Sequence, residues 1–182
     1  VATATSSQGL ALMWEMLYIA AGTRLPIIMP VVNRSLSAPL NIHGDHSDAM
    51  GARDSGWIQL WSENGQEAYD NTIQAFKIGE HMDIRLPVMV CLDGFIISHS
   101  IARAEYLEDS EVKNFVGEYK TLNPLLDIDN PKSFGPLILP DLFHEYKRAQ
   151  HEVTTKVKDV VLDIAKEFEK ISGRKYGLFE TY

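Results

Sequence analysis

The sequence predicts an α/β fold: a mainly parallel sheet with helices on both faces, followed by one long amphipathic helix. Three observations predict it. Short apolar runs alternate with segments of helical period. The runs Leu25–Val32 and Leu86–Leu92 lack the polar alternation of a half-solvated strand, as expected when both faces are covered. Finally, Leu142, Tyr146, Ala149, Val153, Val157, Val160, Ile164, Phe168 and Ile171 step by threes and fours without a break.

In chain order, Val1–Thr5 reads as the end of a buried strand, and Thr5-Ser6-Ser7-Gln8-Gly9 as a small polar turn. A helix is expected from about Gln8 to Ala21, ended by Gly22. Its apolar residues lie nearly all round, so it is expected to be largely buried. Leu25–Val32 is the next strand, and Asn33–Gly56 a long polar loop of the kind that is usually functional or mobile. Trp57–Trp61 is a strand. Asn64 and Glu67 have capping-box spacing and open a helix with Tyr69, Ile73 and Phe76 on one side. Leu86–Leu92 is a buried strand with Pro87 near its start, where a missing N–H is tolerated. Residues from about Ser100 to Pro140 are expected to be irregular, with Pro124, Pro131 and Pro136 along the way. The final helix, stopped by Gly173, would run roughly 45 Å at about 1.5 Å per residue.

The 182 residues suffice for one domain with its own core, or for a domain plus an extension. A formal net charge of −8, with no cluster of Lys and Arg, argues against nucleic acid or an anionic membrane as partner. No apolar run reaches the length needed to cross a bilayer. The N-terminus has neither the basic nor the apolar region of a signal peptide. It lacks an initiator Met and opens inside an expected strand, which suggests further sequence upstream. Cys91 is the only cysteine, consistent with a reducing cytoplasm and unable to hold an iron–sulfur cluster, which takes four thiolates.

In parallel sheets of this kind ligands sit beyond the C-terminal strand ends. Those ends are Thr5-Ser6-Ser7, Asn33-Arg34 and Asp93-Gly94. Arg34 could grip a carboxylate through two parallel hydrogen bonds, or could be a surface cation capping a neighbour. His43-Gly44-Asp45-His46-Ser47-Asp48 is the densest polar cluster. A metal site is one reading, but the spacing matches no standard motif, and a hydrogen-bonded loop that orders on contact is favoured. Arg53–Asp54 is expected as an internal ion pair fixing the loop's far end. Glu15 sits in an apolar helix, as a residue of a subunit seam or as an acid of raised pKa. The role of His99 is open, and Asp93-Gly94-Phe95 matches the kinase metal triplet by letters only. No phosphate-binding glycine loop or nucleophile elbow is present. Thr5–Gly9 could present N–H groups to an anion, a weak signal alone.

Longer stretches carry a resemblance. Thr3-Ala4-Thr5-Ser6-Ser7-Gln8-Gly9-Leu10, the run from Asn33-Arg34-Ser35 through Asp48, Arg53–Gln59, Pro87–Phe95 and Gly173–Glu180 resemble, in order, segments of the 2-oxoacid:ferredoxin oxidoreductases of the pyruvate:ferredoxin type. The resemblance covers essentially the whole chain and points to the alpha subunit. It implies a pyrimidine-type thiamine-enzyme domain, with residues 1–140 its C-terminal portion, including an irregular wrapping segment from about 100. Residues 141–182 would be the long helix and the junction to a following domain.

It further implies oxidative decarboxylation of a 2-oxoacid such as pyruvate, with thiamine diphosphate and Mg²⁺ shared with a beta subunit. Coenzyme A would accept the acyl group. Iron–sulfur clusters on partner (delta, gamma) subunits would pass electrons to ferredoxin. By the same resemblance Arg34 binds the substrate carboxylate, and Thr5, Ser6, Ser7, Asn33, Ser37, Asn41, Ile42, His43, Asp45 and His46 lie near the cofactor, with catalysis by His43 or His46 a hypothesis. The family's Tyr-Pro-Ile-Thr-Pro loop, its pyrimidine-activating glutamate and its Gly-Asp-Gly…Asn diphosphate motif do not occur here. The isolated chain is therefore expected to be inactive. Ser37 stands where oxalate-using relatives are expected to carry an acid, which favours a monocarboxylate. The alternatives are the same chemistry on a branched-chain or other 2-oxoacid, and a non-catalytic assembly module in which Arg34 points away from any pocket.

Overall fold

The computed structural model describes residues 5–181. Its sheet comprises β1 (Ile28–Asn33), β2 (Ile58–Ser62) and β3 (Val88–Asp93) in the order β1-β3-β2, all parallel. β3 is central, pairing Val88 with Ile28 and Ile58, and Asp93 with Asn33. Thr5 forms a parallel bridge to Val31, so the chain before β1 runs along its other side. Val1–Ala4 of the expected first strand lie outside the described residues.

The central strand shows why these runs are strands. Val88, Met89, Val90 and Cys91 are all buried, because both sheet faces are covered. Ile28, Ile58, Val88 and Val90 join one core with Ile73, Ile78, Ile164 and Phe168. The alternate residues Met29, Val31, Met89 and Cys91 join a second core with Leu10, Leu17, Ala49 and Trp57. The first core is roofed by α4 (Gly65–Glu80), α5 (Asp109–Val116) and α6 (Pro140–Ser172). The second is roofed by α1 (Ser7–Leu12), α2 (Trp14–Gly22) and α3 (Ser47–Gly51). The expected two-sided α/β architecture is the one found.

Several local expectations are corrected. The helix expected over Gln8–Ala21 is two helices meeting at Met13, whose N–H bonds back only three residues to Leu10. It is also not largely buried: Leu12, Trp14, Met16 and Ile19 are exposed, while Leu10, Leu17, Ala20 and Ala21 face the sheet. A helix lying on a sheet touches it along one stripe, and among the described residues nothing packs on the other side. The loop Asn33–Gly56 contains α3 and a 3-10 turn, Arg53–Ser55, which leaves through Gly56 at φ 92. Within the stretch expected to be irregular lies α5, opened by a capping box in which Glu108 and Glu111 exchange bonds. Glutamate is not among the usual N-cap residues, which hides this start from sequence inspection.

α4 begins where the spacing indicates: Asn64 Oδ1 accepts from Glu67 N at 2.9 Å, and Glu67 reaches back to Glu63 N. α6 has 33 residues, about 50 Å at 1.5 Å per residue, with Pro140 at its start and Gly173 closing it at φ 71. Its second half enters the core through Ile164, Ala165 and Phe168, whereas Leu142, Phe143 and Tyr146 of its first half are exposed. The chain after α6 turns back onto α4. There Asp70, fully buried, takes two bonds from Arg174 (2.6 and 2.8 Å) and one from the Tyr176 hydroxyl at 2.5 Å. Among the described residues no helix is long and apolar enough to cross a membrane.

Candidate functional site

The C-terminal end of β1 and the entries to α1 and α3 converge on one side chain, Asp48. It is 1% exposed and opens α3. Its Oδ2 accepts from Ser7 N at 2.8 Å and Arg34 N at 3.1 Å. Its Oδ1 accepts from the Asn33 side-chain amide at 2.8 Å and from Ala49 N at 2.7 Å. One carboxylate thus ties three elements together through four N–H donors. Ser7 is drawn into this knot at φ 49, unusual for a residue with a side chain, and its hydroxyl lies 2.6 Å from Ser35 O. Sequence inspection places Asp48 in the polar cluster without distinguishing it. The available signal was an acid one residue after Ser47 at the start of an apolar pair, Ala49-Met50, the mark of a helix N-terminus.

Arg34 stands half-buried at the end of β1. Its Nε and Asn33 Oδ1 are buried without a hydrogen-bond partner, and among the described residues Arg34 makes no ion pair. Asp48 is near but fully engaged by N–H groups, so the guanidinium charge stays uncommitted. Gly94 allows the close approach here: a Cβ on it would sit 2.5 Å from Asn33 O and 3.0 Å from Arg34 Cγ.

The 41–48 loop folds over the end of β3. Gly44 N donates to Gly94 O at 3.3 Å, and His46 Nε2 is hydrogen-bonded to Asp93 Oδ1. The His46 ring packs against Trp61, centroids 4.7 Å apart. His43 meets Phe95 edge-on at 4.3 Å, and His99 stacks on the same ring at 4.9 Å, its Nδ1 held by Ser98 Oγ. The two loop histidines therefore have separate partners. Asp45 caps the entry to α3, accepting from Ser47 N at 2.8 Å and from the Ser47 hydroxyl, which holds its carboxyl below the ordinary range. Asn41 is held by Ser35 Oγ (2.5 Å) and bonds both to and from the His43 backbone. This is the hydrogen-bonded loop the sequence favours.

Of the remaining expected residues, Thr5 bonds the β1 backbone on both sides, Ser6 O accepts from Gly9 N, and Ser37 is exposed with Gln8 Nε2 at 3.4 Å from its Oγ. Ile42 is exposed. The structure thus brings Thr5, Ser6, Ser7, Asn33 and Arg34 to one strand-end cluster, with Ser37 and Asn41–His46 in the loop above it. Glu15 is exposed on α2. Arg53–Asp54 is not internal: the contact is 3.7 Å between side chains 67% and 81% exposed, a pair that solvent screens to near nothing. The reason is local, since the 3-10 turn points both side chains outward.

A cavity of about 580 Å³ runs along the outer edge of β2, between α4, α6 and residues 176–180. His46, Trp61 and Asp93 line it, and Arg34 does not. Arg34 itself is half-buried.

A sequence model described as "Pyruvate flavodoxin/ferredoxin oxidoreductase, thiamine diP-bdg" matches residues 1–166. The chain is 60% identical over 180 residues to the pyruvate synthase subunit PorA of Thermotoga maritima, covering 99% of this chain and 46% of that one. It is 49% identical to the PorA of Methanocaldococcus jannaschii (99% and 47% covered) and 40% identical to the ketoisovalerate oxidoreductase subunit VorA of Pyrococcus abyssi (97% and 44% covered). The chain therefore spans less than half the length of these relatives. A 2-oxoglutarate:ferredoxin oxidoreductase from Magnetococcus marinus, solved with 2-oxoglutarate, coenzyme A and succinyl-CoA bound, shares the fold. Its TM-score is 0.60 at 21% identity, over 87% of this chain and 33% of that one.

Proposed function

This chain belongs to the pyruvate flavodoxin/ferredoxin oxidoreductase family, in its thiamine-diphosphate-binding part, and from that premise we propose that it holds the 2-oxoacid in an enzyme converting pyruvate, coenzyme A and oxidised ferredoxin to acetyl-CoA, carbon dioxide and reduced ferredoxin. Arg34 carries the reading. A half-buried guanidinium with no ion pair among the described residues and an unpartnered Nε, at a strand end, calls for an anion, and a planar carboxylate suits its fork. Pyruvate is supported by the pyruvate synthase subunits, at 60% and 49% identity, ahead of the ketoisovalerate subunit at 40%.

Bound thiamine diphosphate supplies the carbanion chemistry of decarboxylation. On this chain the buried, unpaired Asn33 Oδ1 and Arg34 Nε fit a polar organic group at the end of β1. Among the described residues nothing around Arg34 fits a diphosphate with Mg²⁺: the carboxylates there are engaged by N–H donors and His46, and the acids that converge elsewhere are Glu63, Glu67 and Glu180. We assign the diphosphate, Mg²⁺ and the iron–sulfur clusters to partner subunits, since the one cysteine here, Cys91, is buried. Thr5, Ser6, Ser7 and Asn33 fix the strand ends, Asn41, Ile42, His43, Asp45 and His46 form the loop over them, and we place the exposed Ser37 on the substrate side. A partner chain would then complete the site on the Arg34 side. Residues 1–140 would be the C-terminal portion of the pyrimidine-type domain and 141–182 the helix and junction to the next, in a cytoplasmic complex.

The test is pyruvate- and coenzyme A-dependent reduction of a low-potential dye by the intact complex, wild type against Arg34→Lys. A point charge does not replace a bidentate fork, so kcat/KM for pyruvate should fall by about 10²-fold with the rise mostly in KM. An unchanged KM removes Arg34 from the carboxylate. Faster turnover of 2-oxoisovalerate than of pyruvate keeps the chemistry and changes the substrate.

A further inference from the structure

Asp93 ends β3, and Gly94 beside it abuts Arg34, yet Asp93 has no assigned role. Its carboxylate is one-quarter exposed and hydrogen-bonds across 47 positions of sequence to His46. His46 is the residue before α3, a position whose side chain normally caps the helix, but it makes no cap bond; Asp45 does that work. The imidazole is therefore free to reach β3, where Trp61 flanks its ring.

The turn that His46 opens is in turn zipped to the segment bearing Arg34. Ser47 Oγ accepts from Leu36 N at 3.1 Å, and Asp48 Oδ2 accepts from Arg34 N at 3.1 Å. His46 O accepts the first helical bond, from Met50 N at 2.9 Å. A continuous path runs from Asp93 through His46 to Ser47 and Asp48, and from them to the backbone of Arg34 and Leu36. The loop's other anchors lie before His46: Asn41 on Ser35, His43 on Phe95, and Gly44 N on Gly94 O at 3.3 Å.

We propose that Asp93 is a positioning residue for Arg34: by holding His46 it clamps the first turn of α3 onto the strand ends, and so fixes the backbone from which the guanidinium reaches the substrate carboxylate. This rests on the reading of Arg34 given above. The role is distinct from folding, because neither partner is in the core: the His46 and Asp93 side chains are 45% and 25% exposed.

The experiment uses the intact complex with its partner subunits and pyruvate as probe, comparing wild type, Asp93→Ala, Asp93→Asn, His46→Ala and the Asp93/His46 double variant. Asp93→Ala should raise the KM for pyruvate by about tenfold, the loss expected for one hydrogen bond to a charged group, with kcat changed less than about twofold. Asp93→Asn keeps an acceptor oxygen and should recover most of that loss. The double variant should be no worse than the worse single variant, since both break one path. Pyruvate affinity measured by calorimetry without an electron acceptor should follow the KM. An unchanged KM in Asp93→Ala, or additive losses in the double variant, overturns the proposal. So does a fall in kcat that tracks loss of subunits from the complex. Arg34→Lys in the same series separates the two readings. If it raises KM and Asp93→Ala does not, only the clamp is wrong; if it leaves KM unchanged, the carboxylate reading fails first.

Discussion

Asp48 and Asp70 are both enclosed carboxylates, 1% and 0% exposed, held in opposite ways on opposite faces of the sheet. Asp70 meets a guanidinium: Arg174 binds it twice, with the Tyr176 hydroxyl and Gln66 completing its shell. Asp48 meets no cation among the described residues and is satisfied by the N–H groups of Ser7, Arg34 and Ala49 and the amide of Asn33. A cation neutralises charge, and here it anchors the chain that follows α6. Three of its four donors are backbone N–H groups, so this carboxylate fixes the end of β1 against the entries to α1 and α3 and leaves Arg34 uncommitted. The same buried group is a tether on one face and a template on the other.

The isosteric change at both positions is the sharpest way to break this contrast. Asp48→Asn keeps one acceptor oxygen and turns an NH₂ toward N–H donors, disrupting about half of its bonds. The expected loss is about 3 kcal/mol of stability, from unsatisfied buried donors, with at least a tenfold drop in kcat/KM for pyruvate in assembled enzyme. Asp70→Asn loses the ionic part of its link, about 2 kcal/mol after discounting for an Arg174 that is one-fifth exposed. It should leave the KM for pyruvate unchanged. Denaturant unfolding and steady-state kinetics on the same preparations check both. Equal effects on KM would dissolve the distinction between template and tether.

How much of this was legible in the sequence follows the same division. The sheet was readable because Val88–Cys91 and Met29–Val31 are apolar on both faces, and periodicity reports burial directly. The place of Arg34 at a strand end was readable because a cation directly after a buried run stands out. The roles of Asp48, Asp70 and Asp93 were not, because each depends on at least one partner between 14 and 106 residues away, and no local pattern encodes which N–H or guanidinium arrives. The exposed side of α1 and α2 was misjudged for a related reason: composition says that a helix can be buried all round, while only the fold says what covers it.

Tyr176 and Cys91 report on the two carboxylates. Burial, then its hydrogen bond to Asp70, raises the Tyr176 phenol above its ordinary value. The folded chain thus keeps a proton that the unfolded chain releases near pH 10. The stability from this bond is complete below about pH 10 and is lost as pH rises toward the folded value. Tyr176→Phe should cost about 1 kcal/mol at neutral pH and flatten the fall in stability above pH 10, as read by thermal melts across pH 8–11. An alkaline limb unchanged by the substitution would mean that the phenol does not feel Asp70.

The smallest effect concerns Cys91, which lies in β3 with the charge of Asp48 near it. Burial is the main cause, and the uncompensated Asp48 carboxylate the second, that push its thiol up to about 12. At pH 8 only about one molecule in 10⁴ would carry a thiolate, and the side chain has no exposed surface. Iodoacetamide should therefore leave Cys91 of the native complex unmodified over hours at pH 8, as followed by mass spectrometry, and modify it in denaturant. In Asp48→Asn the second cause is gone while burial remains, so labelling should rise by a few-fold at most in enzyme that is still folded. Rapid labelling of the wild type would show that the sheet face under Asp48 opens in the native state. A template must hold strand ends still, and that outcome would leave Asp48 as one more hydrogen-bonded carboxylate in a mobile loop.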